Sequence, residues 1–252
     1  MRKSVKLLVV LFVLVVALPA LGQEEPPMLA RGYALKVKPG HEAQFEAAMK
    51  KQVEWYKANN ETWHWHVWQW ETGEDMGEYV FRSPGHYWKD MDDRAERTSR
   101  ARAHFQSTVS PHTESMRASI SEVLPKISRW PTDMGEVPMV SVYEFNVHYG
   151  MAEDFVNTIG KIHEAIEESG WPVHYAWLAT VSGGEVPTFS LVIPRKSWAD
   201  MKGPEKPFWP MMEEAVGRAE ADAVKASLME CVREQHSALA RFRPDLSYIP
   251  AQ

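Results

Sequence analysis

Polar and apolar positions alternate over the segment from Tyr33 to Val37, with Tyr33, Leu35 and Val37 on one face, the period of a half-buried strand. Pro39-Gly40 ends that strand. The period then lengthens, placing Phe45, Met49, Val53 and Tyr56 along one side of a helix. Next come two strand-like runs, Trp63 to Glu71 and Gly77 to Arg82, around a turn at Gly73. The same sequence of patterns returns later. Tyr143, Phe145 and Val147 alternate, and Phe155, Ile159, Ile162 and Ile166 share a helical side. A second hairpin runs from Val173 to Thr180 and from Pro187 to Ile193 around Ser182-Gly183-Gly184.

The recurrence keeps one offset. Tyr33, Val37, Gly40 and Phe45 reappear as Tyr143, Val147, Gly150 and Phe155, each 110 positions on. The offset also carries His64-Trp65 onto His174-Tyr175, Gly73 onto Gly183, and Trp88-Lys89-Asp90-Met91 onto Trp198-Ala199-Asp200-Met201. Holding it from Tyr33 to Met91 without a gap marks a tandem duplication. Each copy, residues 31–134 and 138–249, reads as βαββαβ, an α+β unit. Ala95 to Leu124 and Met211 to Leu239 read as long helical stretches. The fourth strands are expected in the tails Arg129 to Met134 and Arg241 to Leu246, with Asp133 to Pro138 as linker. The Trp-x-Asp-Met segments are expected to lock helix to sheet.

Val37-Lys38-Pro39-Gly40, then Phe45 on a helix, then an aromatic hairpin, resembles the opening of dimeric α-β barrel domains of the ferredoxin-like type. That group includes antibiotic-biosynthesis monooxygenases, NIPSNAP-like proteins and, as fused two-copy chains, chlorite dismutases. The resemblance implies two tandem ferredoxin-like repeats whose sheets pack face to face as one α-β barrel. It also implies that one face of each sheet meets its own helices, while the other encloses a pocket. Fold likeness of this kind carries no reaction with it.

Strand alternation assigns the faces. With Tyr33, Leu35, Val37, Tyr79 and Phe81 against helices, the inner face receives Ala34, Lys36, Glu78, Val80 and Arg82 from the first copy. The second copy contributes Glu144, Asn146, His148, Thr188, Ser190 and Val192. The second strands add His64, His66, Trp68 and Trp70, and His174, Ala176, Leu178 and Thr180. Charged, imidazole, amide and indole groups together suit a cavity better than a structural core, because unpaired buried polar groups cost roughly 1–3 kcal/mol each.

The expected pocket is therefore one space bordered by Lys36, His64, His66, Trp68, Glu78, Arg82, Glu144, Asn146, His148 and His174. His64, His174 or His148 would act as general base, since an imidazole titrates near neutrality, and Lys36 or Arg82 would hold an oxyanion. Trp68 and Trp70 offer a flat wall for a planar ligand. Ligand types for zinc or non-haem iron are present, yet no histidine–carboxylate set repeats in both copies, since His66 maps to Ala176. No metal or other cofactor is expected; haem enters only through the resemblance to the fused relatives.

Composition narrows the classes. Arg2, Lys3 and Lys6 precede an unbroken apolar run from Leu7 to Leu18, followed by Ala20-Leu21-Gly22. This is the layout of a signal peptide cleaved before Gln23, so residues 1–22 are expected to be removed and the protein to be periplasmic or secreted. Twelve apolar residues at ~1.5 Å each fall short of ~30 Å of hydrocarbon, so stable membrane insertion after cleavage is not expected. Loss of the three basic residues takes the net charge from −6 to −9, which argues against nucleic acid as a partner. Cys231 is the single cysteine, read as a buried inert thiol. Two functions remain. One is an exported barrel holding a small, partly aromatic or hydrophobic ligand, with room for a homo-oligomer. The other is an enzyme using the pocket histidines, either a cofactor-independent monooxygenase or isomerase, or a metal-dependent one.

Overall fold

The computed structural model of the protein describes residues 29–93, 95–130 and 137–250. The expected export segment 1–22 and most of the expected linker Asp133–Pro138 lie outside these described residues. The first half runs β1 (Leu29–Val37), α1 (Glu42–Ala58), β2 (His66–Trp70), β3 (Tyr79–His86), α2 (Trp88–Asp93), α3 (Ala95–Thr108) and β4 (Thr113–Val123). The second runs β5 (Met139–Val147), α4 (Ala152–Ser169), β6 (Ala176–Ser182), β7 (Thr188–Arg195), α5 (Phe208–Val216), α6 (Arg218–Cys231) and β8 (Val232–Phe242).

The eight strands close into one antiparallel barrel in the order β1-β3-β2-β8-β5-β7-β6-β4. Two seams join the halves. At β2–β8, Trp68 stands opposite Phe242; at β4–β6, Leu178 stands opposite Val123. Closure leaves no unpaired strand edge, the usual route to unwanted sheet pairing. A second copy held in the same chain supplies the partner sheet. Among the described residues no helix is long and apolar enough to cross a membrane.

Helices cover the outer faces through equivalent residues. Phe45, Met49 and Val53 of α1 meet Leu35, Val67, Tyr79 and Phe81. Phe155, Ile159 and Ile162 of α4 meet Trp177 and Phe189, with Met211, Met212 and Val224 behind them. Phe45 lies 4.8 Å from the Tyr79 ring, and Phe155 lies 4.8 Å from the Phe189 ring. The residue pairs are related by the sequence offset, and each fully buried phenylalanine stabilises the fold by roughly 1.5–3 kcal/mol. Gly40 and Gly150 turn each first strand into its helix at φ of 78° and 88°. A side chain there would meet open space, so the positive φ alone favours glycine.

Two expectations need correction. The long helical stretches stop early, at Thr108 and Cys231, and the chain then enters β4 and β8. The fourth strands are thus Thr113–Val123 and Val232–Phe242, not the tails after them. Both strands show the same pattern of largely exposed residues. Their outer faces are uncovered, so TESMRASISEV and VREQHSALARF lack the apolar alternation that marks a half-buried strand. The true equivalence also lengthens the offset here from 110 to 119, as Gly32 pairs with Ser119 and Val142 with Ala238.

The C-terminal tail after β8 is tied down by Arg243. Its guanidinium donates to Glu46 at 2.6 Å, to Asp245 at 2.9 Å and to Gln69 at 2.9 Å, while the Tyr79 hydroxyl donates to Glu46 at 2.7 Å. Asp90 and Asp200 accept from the backbone entering their segments, from Tyr87 at 2.7 Å and Lys196 at 2.6 Å. Trp88 and Trp198 stand exposed, so aspartate rather than tryptophan makes that local tie. Cys231 is fully buried, and burial pushes its thiol pKa up.

Candidate functional site

The inner wall of the first half is built from four adjacent strands, in the order β4, β1, β3 and β2. Antiparallel pairing sets Gly32 beside Arg82, Arg82 beside His66, and Gly32 beside Ser119. Directly paired residues share a face with their Cβ atoms about 4.5–5.5 Å apart, so these side chains crowd one patch of the interior. Ser121 stands two residues along from Ser119, and its Oγ accepts from Arg82 Nη1 at 3.5 Å. Gly32 is buried in mid-strand. A Cβ on it would sit 2.7 Å from Ser119 Oγ and 3.6 Å from Arg82 Nη1. Its missing side chain leaves room for the Ser119 hydroxyl, while the contact with Arg82 would be an ordinary one.

The electrostatics of this patch are unusual. Arg82 lies deep among protein atoms on the inner face yet keeps some accessible surface. Burial alone shifts its pKa, down to about 10, and no carboxylate among the described residues offsets that. Next to it, burial pushes His66 down to about 4, helped by the neighbouring charge of His64. Burial also lowers His64, whose ring stands edge-on to His66 at 5.1 Å. At neutral pH the patch therefore holds a neutral imidazole, able to accept a proton, beside a full positive charge. Phe242 lies 6.0 Å from His66 and 5.0 Å from Trp68, which supplies an apolar wall.

The rest of the expected pocket does not join this patch. His174 precedes β6 at the same barrel end as His64, but it is exposed and bonds the Arg129 carbonyl at 3.3 Å. His148 follows β5 at the opposite end and is exposed. That opposite end gathers Lys36, Glu78, Glu144 and Asn146. Arg117 donates to Glu78 at 3.0 Å, Lys36 pairs with exposed Glu114 at 3.0 Å, and Thr188 donates to Asn146 at 2.8 Å. Burial raises the pKa of Glu78 and of Glu144. Between these groups lies an apolar cluster in which Trp70, Val80, Trp130, Val142, Val192 and Phe242 pack against buried Trp68, Val137, Val140 and Ala240. A single space bordered by all ten residues is thus corrected to two polar regions separated by apolar packing. Facing is set by alternation; depth along the barrel is set by strand direction, which splits the set.

Gly32, Ser119 and Ser121 were missing from the expected site. A glycine inside the alternating first strand was the available signal for close approach. The serines carried none, because their strand reads as a helix. Two surface grooves hold none of these residues. One, about 680 Å³, runs between α1 and the Pro244–Ser247 segment; the other, about 490 Å³, lies between α4 and α5.

A closed barrel of two α+β halves, with a polar patch inside, defines a class of small α-β barrels. The fold is an α-β barrel of two ferredoxin-like halves, with both copies in one chain. Solved structures share it. A protein from Lactobacillus acidophilus NCFM assigned as a monooxygenase matches with a TM-score of 0.54 and 8% identity, over 90% of this chain and 98% of its own. An anthrone oxidase-like protein matches at 0.52 and 14%, over 86% and 92%. A mutant chlorite dismutase from Candidatus Nitrospira defluvii matches at 0.51 and 11%, over 87% and 93%. No family model and no curated protein matches the chain.

Haem would need a flat cavity beside a free imidazole. Side chains fill the space between each sheet and its helices, and the helix-borne His104 and His163 are bonded to Gln52 at 2.7 Å and to Tyr175 at 2.8 Å. Between sheet and helices, the described residues do not fit a macrocycle. No group of three or more His, Cys, Asp or Glu among them is placed to hold a metal ion.

Proposed function

We propose that the protein is a small-molecule enzyme that removes a proton from a partly aromatic substrate inside the first half of the barrel, with His66 as general base. The observation that carries this is the neutral imidazole of His66 directly opposite the guanidinium of Arg82, which no carboxylate among the described residues offsets. A neutral base needs a proton to take, and a fixed cation lowers the energy of the anion left behind. Trp68 and Phe242 give the substrate an apolar surface. The likeness to an anthrone oxidase-like protein and to a protein assigned as a monooxygenase supports chemistry of this type, because oxygenation of an aromatic carbon acid begins with loss of a proton. Export through residues 1–22 belongs to the same reading; N-terminal sequencing of the secreted protein that starts near Gln23 supports it, and an intact Met1 refutes it.

The test is proton–deuterium exchange of enolisable aromatic compounds, followed by NMR in deuterated buffer. The native protein accelerates exchange with a rate that is flat above about pH 5, because His66 is already deprotonated there. His66→Gln abolishes the acceleration. Exchange unaffected by that change, or turning on only above pH 6, sinks the reading. A carrier that binds in the same place without chemistry gives binding in both proteins and exchange in neither.

A further inference from the structure

We infer that the ligand enters as an anion, a carboxylate attached to a planar or aromatic body, and that Arg82 binds it on the inner face of the first half, beside Gly32, Ser119 and Ser121. This rests on the proposed site and names what it takes. A guanidinium carries five N–H donors, yet the partner the structure gives Arg82 is one hydroxyl at the long distance of 3.5 Å. Its pKa responds to burial and to no carboxylate, so nothing described in the chain neutralises it. Leaving a cation enclosed without a counter-charge is costly, and proteins keep such groups where a ligand supplies the missing charge. Planar donors in a fork match a carboxylate bidentately, and the remaining N–H groups stay available to the anion formed when His66 removes the proton.

The neighbours fit the same ligand. A Cβ on Gly32 would close on Ser119 Oγ at 2.7 Å, so glycine keeps that hydroxyl free beside Arg82. Ser119 and Ser121 offer small hydroxyls, and Trp68 with Phe242 offers a flat apolar wall on the other side of His66. The second half has no such polar patch. The positions of Gly32, His66, Arg82, Ser119 and Ser121 are taken there by Val142, Ala176, Val192, Ala238 and Ala240. One anion per chain is the expected stoichiometry.

Benzoate and its neutral isostere benzamide separate the possibilities. Titrated into the full protein and followed by tryptophan fluorescence and calorimetry, benzoate binds once per chain and at least tenfold tighter than benzamide. Bound benzoate raises the His66 pKa, read by imidazole NMR, because an anion nearby favours the imidazolium. Arg82→Gln loses the preference for benzoate while its melting temperature is unchanged or higher, since an unpaired buried charge has gone. Gly32→Val loses it as well. His66→Gln keeps binding within threefold, so loss of catalysis and loss of anion recognition are read independently. Equal binding of the two probes, no binding of either, or an Arg82→Gln protein that still prefers benzoate overturns the inference. In the last case the proton-transfer role of His66 stands or falls by its own exchange experiment.

Discussion

The two halves of the barrel are alike where they meet their helices and unlike where they meet each other. Outside, Phe45 on Tyr79 and Phe155 on Phe189 make the same contact at the same 4.8 Å distance. Inside, the first half has Gly32, His66, Arg82, Ser119 and Ser121, and the second has valine or alanine at each equivalent position. Packing against a helix constrains size and shape in both copies, since cores are close-packed and one lost methylene is felt. The inner face carries a different load. A barrel of eight strands has an interior only just wide enough for side chains to fill. At the level of Arg82 the second half packs with valine and alanine while the first carries the charge; at the other end both halves contribute polar groups, Lys36 and Glu78 from the first and Glu144 and Asn146 from the second.

That contrast is open to attack at several points. The largest effects belong to the shared outer face. Phe45→Ala and Phe155→Ala should each cost about 3–5 kcal/mol, and by amounts within about 1 kcal/mol of each other, measured by urea unfolding. A large inequality would mean the helix–sheet packing is not equivalent in the two copies. Moving the charge across comes next. Val192→Arg puts a guanidinium where Val142 rather than glycine faces it, and should cost about 3–4 kcal/mol with no gain in anion binding. A mild effect would show that the second half has an undetected recess.

The subtlest test uses pH. His66 titrates near 6.5 in the unfolded chain and at about 4 when folded, so protonation favours unfolding. Its contribution is complete above about pH 6.5 and is lost as pH falls towards 4, by as much as ~3 kcal/mol. Urea midpoints at pH 7 and pH 4.5 should therefore diverge more for the native protein than for His66→Ala, which copies Ala176. Equal divergence would mean the imidazole is solvated and not enclosed.

Much of this was legible before any coordinates. The offset of 110, the alternation of Tyr33, Leu35 and Val37, and the helical stripe of Phe45, Met49 and Val53 determine the repeat, the α+β unit and the face each residue takes. They do so because strand and helix periods are local properties of the chain. β4 and β8 were not legible: their outer faces meet solvent, so selection for apolar alternation is absent and the polar run reads as helix. Nor was the division of the expected pocket, which set His66 and Arg82 apart from Glu78, Glu144, Asn146 and His148. Period says which way a side chain points, whereas depth in a barrel depends on strand direction and stagger across both seams. The isolation of Arg82 belongs wholly to the tertiary structure. Whether a buried arginine is neutralised depends on every strand that faces it, and only closure of the barrel brings Gly32, Ser119, Ser121 and His66 around its guanidinium with no described carboxylate to offset its charge.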